Sequence, residues 1–467
     1  MADELFSAIF TSDALDEATG DAAWLAALVA FEVELAGAEA DLGVIPADSA
    51  AAIAAAAQRL RLDAPTLARA ARQGGNVVIP LVAALRAEVG GPHGDAVHFG
   101  ATSQDALDSA AMLVSARAGA LVRQDLERAA TAAASWCERG AGVVLAGRTL
   151  LRQALPVTFS LKAAGWLTGL LEARRGLLAV LETRLALQFG GAAGTLAALG
   201  DTGVAVGAAL AARLGLFEAL IPWHSERSRL GELAGALSVC AGVAGKVALD
   251  VALLSQSEVA EVHERAGTGR GGSSTLPHKQ NPIGAVLVNA AMRQTQGAAS
   301  VLLSAMAQEH ERAAGAWHAE WQALVALWRG AGGAVANLAE LLEALELDEA
   351  AMARNLQASH GVLSAEHVVF DLAPELGRAR ARELVRDATR RALSEQRGLA
   401  ELLGQIPEIT RLRSAEQLAS LCAPSSYLGA SETFAARALA RFAEERQGWK
   451  RPLPMSERAD EGSERQR

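Results

Sequence analysis

Three short stretches concentrate side chains that can hold an anion and move a proton. GGSSTLPHKQNP, residues 271–282, groups Ser273, Ser274 and Thr275 with a cation at Lys279 and an amide at Asn281. Hydroxyls, an ammonium and an amide at short range are natural partners for carboxylate oxygens. HFGATSQD, residues 98–105, offers His98, Thr102, Ser103 and Gln104 where a long helix is expected to start. Hydroxyls at a helix N-terminus serve as a cap and also make an anion site, so the two readings are compatible. GRTLLRQALPVTF, residues 147–159, places Arg148, Thr149, Arg152 and Gln153 just ahead of a helix expected from about Pro156. The plain alternatives are a flexible linker, a helix cap and a turn with solvated arginines. The PHKxNP half of the glycine-rich loop argues against a linker, which has no need of Pro, His, Lys and Asn at fixed spacing.

Other chemistries fit poorly. Gly267, Gly269 and Gly272 satisfy GxGxxG, but a long helix precedes the loop where a dinucleotide site needs a strand. Lys279 lacks the following Ser or Thr of a phosphate-binding P-loop. His310 and His318 stand eight apart and HExxH is absent, so no metal is expected. Cys137, Cys240 and Cys422 lie far apart with no CxxC pair, which argues against a disulfide framework and suits a reducing cytoplasm. No cofactor is expected.

The elements that must position these residues are helical. The chain has 467 residues, 51% hydrophobic but only 4% aromatic, with alanine and leucine dominating the apolar fraction. Those residues favour helix, and the usual strand formers are scarce, so an all-α fold is expected. Short helices broken near Pro46, at residues 73–76 and at residues 89–94 give way after Asp105 to long segments with apolar residues at three and four residue steps. These run from Leu107 through Trp136, Pro156 to Leu187, Leu230 to Val262, and from Pro282 to about Leu345 with a kink expected near Gly315. Trp317, Trp321 and Trp328 have the spacing of core or interface residues. Helices this long and apolar on more than one face suggest a bundle completed by other subunits. The division read from the sequence is an N-terminal helical part (1–104), a long-helix part (105–346) carrying the loop 267–282, a C-terminal helical part (347–449) and a disordered tail (450–467).

A formal charge of −10 repels phosphate backbones, so general nucleic-acid binding is not expected. MADELFSAIF lacks the basic start of a signal peptide, and the most apolar stretch, Leu233 to Gly245, is cut off by Lys246 and Asp250. The expectation is a soluble cytoplasmic protein with no membrane segment.

Taken in order on this helical background, the three stretches resemble the three signature regions of the fumarase/aspartase superfamily, which includes the argininosuccinate and adenylosuccinate lyases. The resemblance covers almost the whole chain, and GSSxxPxKxNP is highly specific. It implies an all-α homotetramer with a core of about twenty long helices, and active sites shared among three subunits. The chemistry it implies is proton transfer next to a carboxylate, with elimination or addition through an aci-carboxylate. By the same resemblance Ser273 is the loop serine that acts as general base, and Lys279 and Asn281 bind substrate carboxylates. Thr102, Ser103 and Gln104 match the first signature's binding residues, and Thr149 the second's; Arg148, Ser274 and His98 fall within the signatures as further contacts. An unassisted serine is a feeble base, so it needs nearby positive charge and backbone N–H groups.

The departures narrow the reaction. Adenylosuccinate lyases and fumarases carry a histidine after the Arg-Thr of the second signature and a glutamate paired with it beyond the loop; here those positions are Leu150 and Val286. Such a pair manages protons on a poor leaving group. A carboxylate needs no such help, since its conjugate acid has a pKa of about 4. The loss of both partners points to a carboxylate leaving group or nucleophile, as in lactone formation and opening. QFGGAAGTLAALG (188–200), PWH (222–224) and QEHERAAGAWHAEW (308–321) extend the resemblance to the lactone-forming cycloisomerases of the superfamily, which implies that Arg312 joins Lys279 in holding a small tricarboxylate. Leu150 and Arg152 depart from what those enzymes often carry, which bears on substrate scope. The alternatives are a lyase expelling another weakly basic anion such as nitrite, an adenylosuccinate lyase-like enzyme, and a non-enzymatic structural homologue.

Overall fold

The computed structural model describes residues 6, 8–265, 271, 272, 276 and 279–449. The N-terminal part is made of helices Asp13–Thr19, Asp21–Asp41, Ala47–Arg59, Ala64–Gly74 and Val78–Val89. The expected breaks hold: a helix starts directly after Pro46, and Gly75 closes another in a left-handed conformation, φ 78°.

Five long helices follow: Ser103–Arg139, Phe159–Leu181, Ser228–Leu254, Ile283–Ser304 and Ala316–Glu343. The first has 37 residues and so extends for about 55 Å. Cross-contacts fix their directions. Arg227, just before the third helix, meets Asp108 near the start of the first, and Asp250 near the third's end accepts from Trp166 near the start of the second. Gly231 lies against Met306 just beyond the fourth helix. Trp317 meets Asp108, and Trp136 donates to the Leu342 carbonyl. The bundle therefore has two ends. One gathers residues near 98–108, 188–194, 222–231 and 306–320; the other gathers residues near 136–160, 250–265, 279–285 and 342–348.

Three expectations need correction. Gly147–Phe159 is not a turn leading into a helix at Pro156. Val144–Thr149 and Arg152–Thr158 form an antiparallel hairpin with Pro156 in its second strand, and the helix starts at Phe159, where the Thr158 hydroxyl accepts from the Leu161 N–H at 3.2 Å. The kink near Gly315 is a full break: the Ile283–Ser304 helix stops, and Gly315 at φ 125° leads into the next. The stretch read as too short for a membrane lies in Ser228–Leu254, a helix long and apolar enough to cross one by length and composition. Lys246 and Asp250 fall on one face and pair there, so they interrupt its apolar character less than their spacing in sequence implies. Half of its most apolar window is buried against the rest of the chain.

One continuous core runs from Leu15 through the five long helices to Phe442. A separate cluster around Val368, Leu372, Leu384, Leu402 and Ile409 serves the C-terminal helices. The last helix, Ser431–Arg446, returns to the main core through Ala435 and Phe442.

Candidate active site

The first signature lies at one end of the bundle, organised around a buried carboxylate. Asp105 is fully buried in the first turn of Ser103–Arg139 and accepts the Thr102 backbone N–H at 3.1 Å, supplying half of a capping box. Its two oxygens also accept from Gln188 Nε2 at 3.2 Å, Gly190 N at 3.0 Å, Gly191 N at 2.8 Å and His224 Nε2 at 2.7 Å. Glycine is required where the 188–194 segment passes: a Cβ on Gly190 would come within 2.7 Å of Pro222, and Gly191 has φ +69° with the Gly100 carbonyl beneath it. Asp105 thereby joins three segments distant in sequence.

Beside it, buried Gln104 donates to the His224 carbonyl at 2.8 Å and to Asp108 at 3.1 Å. Its side-chain oxygen accepts from Arg312 Nε at 3.1 Å, and Arg312 also donates to the Ala192 carbonyl at 3.2 Å. Gln104 and Arg312, both expected to bind substrate, are thus brought into direct contact. Thr102 and Ser103 stand beside them, half-buried.

Beneath this layer Arg227 binds two carboxylates. It donates to Asp108 at 2.7 and 3.1 Å and to both oxygens of Glu320, one of them at 3.0 Å, with all three side chains at most 5% exposed. Trp317 donates to Asp108 at 3.1 Å and Gln308 to Glu320 at 2.8 Å. Burial pushes the Glu320 carboxyl up to about 7, with Arg227 pulling against it. This network leaves few spare donors and serves as the foundation for Gln104 and Arg312.

The second and third signatures lie together at the opposite end. Arg148 makes a bidentate pair with fully buried Glu261, both contacts 2.8 Å, and Asn355 donates to the same carboxylate. The sequence expectation places Arg148 on substrate; in the chain its guanidinium instead ties the hairpin to the segment leading into the loop. Thr149 is exposed, and Leu150 and Leu151 form the tip at φ 49° and 64°, 98% and 79% exposed. The base of the loop is closed by a bridge between Gly272 and Gln280 and by the Asn281 N–H donating to the Gly271 carbonyl at 2.8 Å. Gly271 has φ +79°, and a Cβ there would strike that Asn281 backbone. Lys279 is exposed and Asn281 half-buried. Ser273, Ser274 and His278 lie outside the described residues. Val286 is 49% exposed on the following helix, whose first N–H groups Glu264 accepts at 2.9 and 3.0 Å.

Among the described residues, a single chain does not bring the three signatures together. The 27 residues of Ser228–Leu254 separate the two ends by about 40 Å. The sequence reading passed over Asp105, Asp108, Arg227, Glu261 and Glu320. Asp105 had a signal, an acidic residue three after a threonine at a helix start. Arg227 and its two acids come from three separate segments and had none.

Fold and site define a class: the chain belongs to the fumarase/aspartase superfamily. Residues 3–297 match the family described as Lyase, and residues 361–438 match Adenylosuccinate lyase C-terminus. The chain is 45% identical over 442 residues to 3-carboxy-cis,cis-muconate cycloisomerase of Pseudomonas aeruginosa, which covers 94% of this chain and 96% of the relative. It is 43% identical to nitrosuccinate lyase of Streptomyces davaonensis, over 93% of this chain and 94% of that one. The crystal structure of 3-carboxy-cis,cis-muconate lactonizing enzyme from Pseudomonas putida superposes with a TM-score of 0.89 at 40% identity, covering 94% of this chain and 99% of that one.

Proposed function

We propose that this chain is a cofactor-free cycloisomerase interconverting 3-carboxy-cis,cis-muconate and 4-carboxymuconolactone. The observation that carries the reading is the identity of the two positions where lyases keep a proton-handling pair: Leu150 and Val286, both on solvent-facing surface of the chain. Neither can protonate a departing hydroxide or amine, whereas a carboxylate nucleophile or leaving group needs no such help. The cycloisomerase of Pseudomonas aeruginosa supports the same reading.

In the forward direction a substrate carboxylate oxygen attacks the β-carbon and forms the C–O bond of the lactone. The electron pair of the double bond moves onto the neighbouring carboxylate, giving an aci-carboxylate that Lys279, Asn281 and Arg312 stabilise. Ser273 delivers a proton to the α-carbon; in lactone opening it removes that proton. Thr102, Ser103, Gln104, Thr149 and Ser274 complete the binding of the tricarboxylate.

Two further parts belong to this proposal. Because the signatures lie at opposite ends of the chain's bundle, the site is completed by other copies in a homotetramer. The chain works in the cytoplasm, with the three-part layout of residues 1–104, 105–346 and 347–449.

The test follows the ultraviolet absorbance of the conjugated diene of 3-carboxymuconate. The assembled protein is expected to bleach it, and Ser273→Ala to abolish bleaching while leaving the assembly intact. An unchanged spectrum with folded wild-type protein overturns the reading. Nitrite release from nitrosuccinate, assayed in parallel, would then promote the lyase related to the Streptomyces enzyme.

A further inference from the structure

His98 does not stand alone in the first signature. Its Nδ1 lies 2.7 Å from Glu32 Oε1, on the Asp21–Asp41 helix, and Glu32 is only 2% exposed. An ionised carboxylate can only accept, so the proton of this contact sits on Nδ1 and the other ring nitrogen is left for a different partner. Among the described residues Nε2 has no hydrogen bond, and the side chain keeps 13% of its surface open. The backbone of His98 adopts φ 62°, a left-handed conformation uncommon for a residue other than glycine. Two residues on, the Gly100 carbonyl lies beneath Gly191, next to Ala192, whose own carbonyl holds Arg312. His98 and Arg312 thus occupy the same rim.

The charges around the ring favour a cation. Burial works against it, but Glu32, by charge and by hydrogen bond, and Asp105 outweigh burial and the opposing charge of Arg86, so the imidazole is held above its ordinary value. Glu39, two turns along the same helix as Glu32, is fully buried with neither oxygen partnered. Burial first, then the charge of Glu32, push its carboxyl up to about 8, so at neutral pH it carries a proton and adds no second negative charge.

We propose that Glu32 is a positioning residue for the reaction, orienting His98 through Nδ1 so that Nε2–H meets a substrate carboxylate. This rests on the proposed tricarboxylate substrate. It assigns to this chain a histidine–glutamate pair in the first signature, at a different place from the pair missing at Leu150 and Val286. Here the pair binds charge and does not protonate a leaving group.

The test uses the full assembled chain with Glu32→Gln, which keeps the shape and an acceptor but removes the charge, and Glu32→Asp, which keeps the charge. Glu32→Gln is expected to raise KM for 3-carboxymuconate by about tenfold with a smaller change in kcat, the worth of one charge-assisted hydrogen bond. Since the cation is lost as pH rises through the raised value, the alkaline limb of kcat/KM should move to lower pH. Glu32→Asp should retain most of the KM. In His98→Asn, adding Glu32→Gln should cost nothing further. Independently of substrate, the pH midpoint for carbethoxylation of His98, read by peptide mass spectrometry, should fall in Glu32→Gln. An unchanged midpoint, or a KM loss with an unmoved alkaline limb, overturns the inference. A shifted midpoint in a protein that leaves 3-carboxymuconate untouched upholds the Glu32–His98 pairing and overturns only the substrate.

Discussion

The two ends of the long-helix bundle hold their signature residues in contrasting surroundings. At the first, Asp105 satisfies donors from three segments and Arg227 bridges Asp108 and Glu320, so these buried charges find partners inside the chain, while both oxygens of Glu39 and one each of Glu32 and Gln308 do not. At the other, the hairpin tip places Leu150 and Leu151 in solvent, and Lys279 is exposed. Each orphaned buried group costs its desolvation, so the paired charges hold this end together. An exposed tip carries no such demand and is available to a neighbouring copy. The first end is thus largely closed on itself, and the second projects side chains into solvent.

The largest effect expected from breaking that contrast is at Arg227. Arg227→Met leaves Asp108 and Glu320 buried without their cation, a loss of about 3–5 kcal/mol. Thermal unfolding should show a clear drop, and an unchanged midpoint would mean that the network contributes nothing to the stability of that end. Next is the pH dependence of Glu39. Its folded value of about 8 against an ordinary 4.5 means that the folded chain keeps a proton the unfolded chain has released. Stability should therefore decline as pH rises between those values. Glu39→Gln should flatten that decline and stabilise the protein above pH 8. Unfolding midpoints for both proteins across this range check the sign.

The smallest effect on the single chain is expected at the hairpin tip. Leu150→Asn with Leu151→Gly supplies residues suited to two successive positive φ angles and should stabilise the isolated hairpin by about 1 kcal/mol. If the leucines are covered by another copy, the same double variant weakens assembly, and sedimentation should show smaller species at low concentration. Undiminished assembly would separate the hairpin tip from the subunit interface.

The helical fold was legible in the alanine- and leucine-rich periodicity, since three and four residue spacing is a local property of one segment. The family was legible in the GSSxxPxKxNP loop, HFGATSQD and the Arg-Thr segment. The hairpin was missed because Leu150-Leu151 lacks the Asn-Gly signal of a two-residue turn, and neither leucine is an ordinary residue at positive φ. The Ser228–Leu254 helix was misjudged because residues four apart in sequence share one face of a helix.

The sequence by itself determined the side-chain types of the signature stretches, their order along the chain and the absence of a histidine and a glutamate at positions 150 and 286. Those are facts of side-chain type, and they constrain what proton chemistry is available. Only the tertiary structure decided which groups meet: Arg148 with Glu261, Arg312 with Gln104, His98 with Glu32, and Arg227 with two acids from other segments. It also placed the first signature and the other two at opposite ends of long helices. A motif fixes local composition, but how far apart two motifs stand depends on which helices run between them and how they pack.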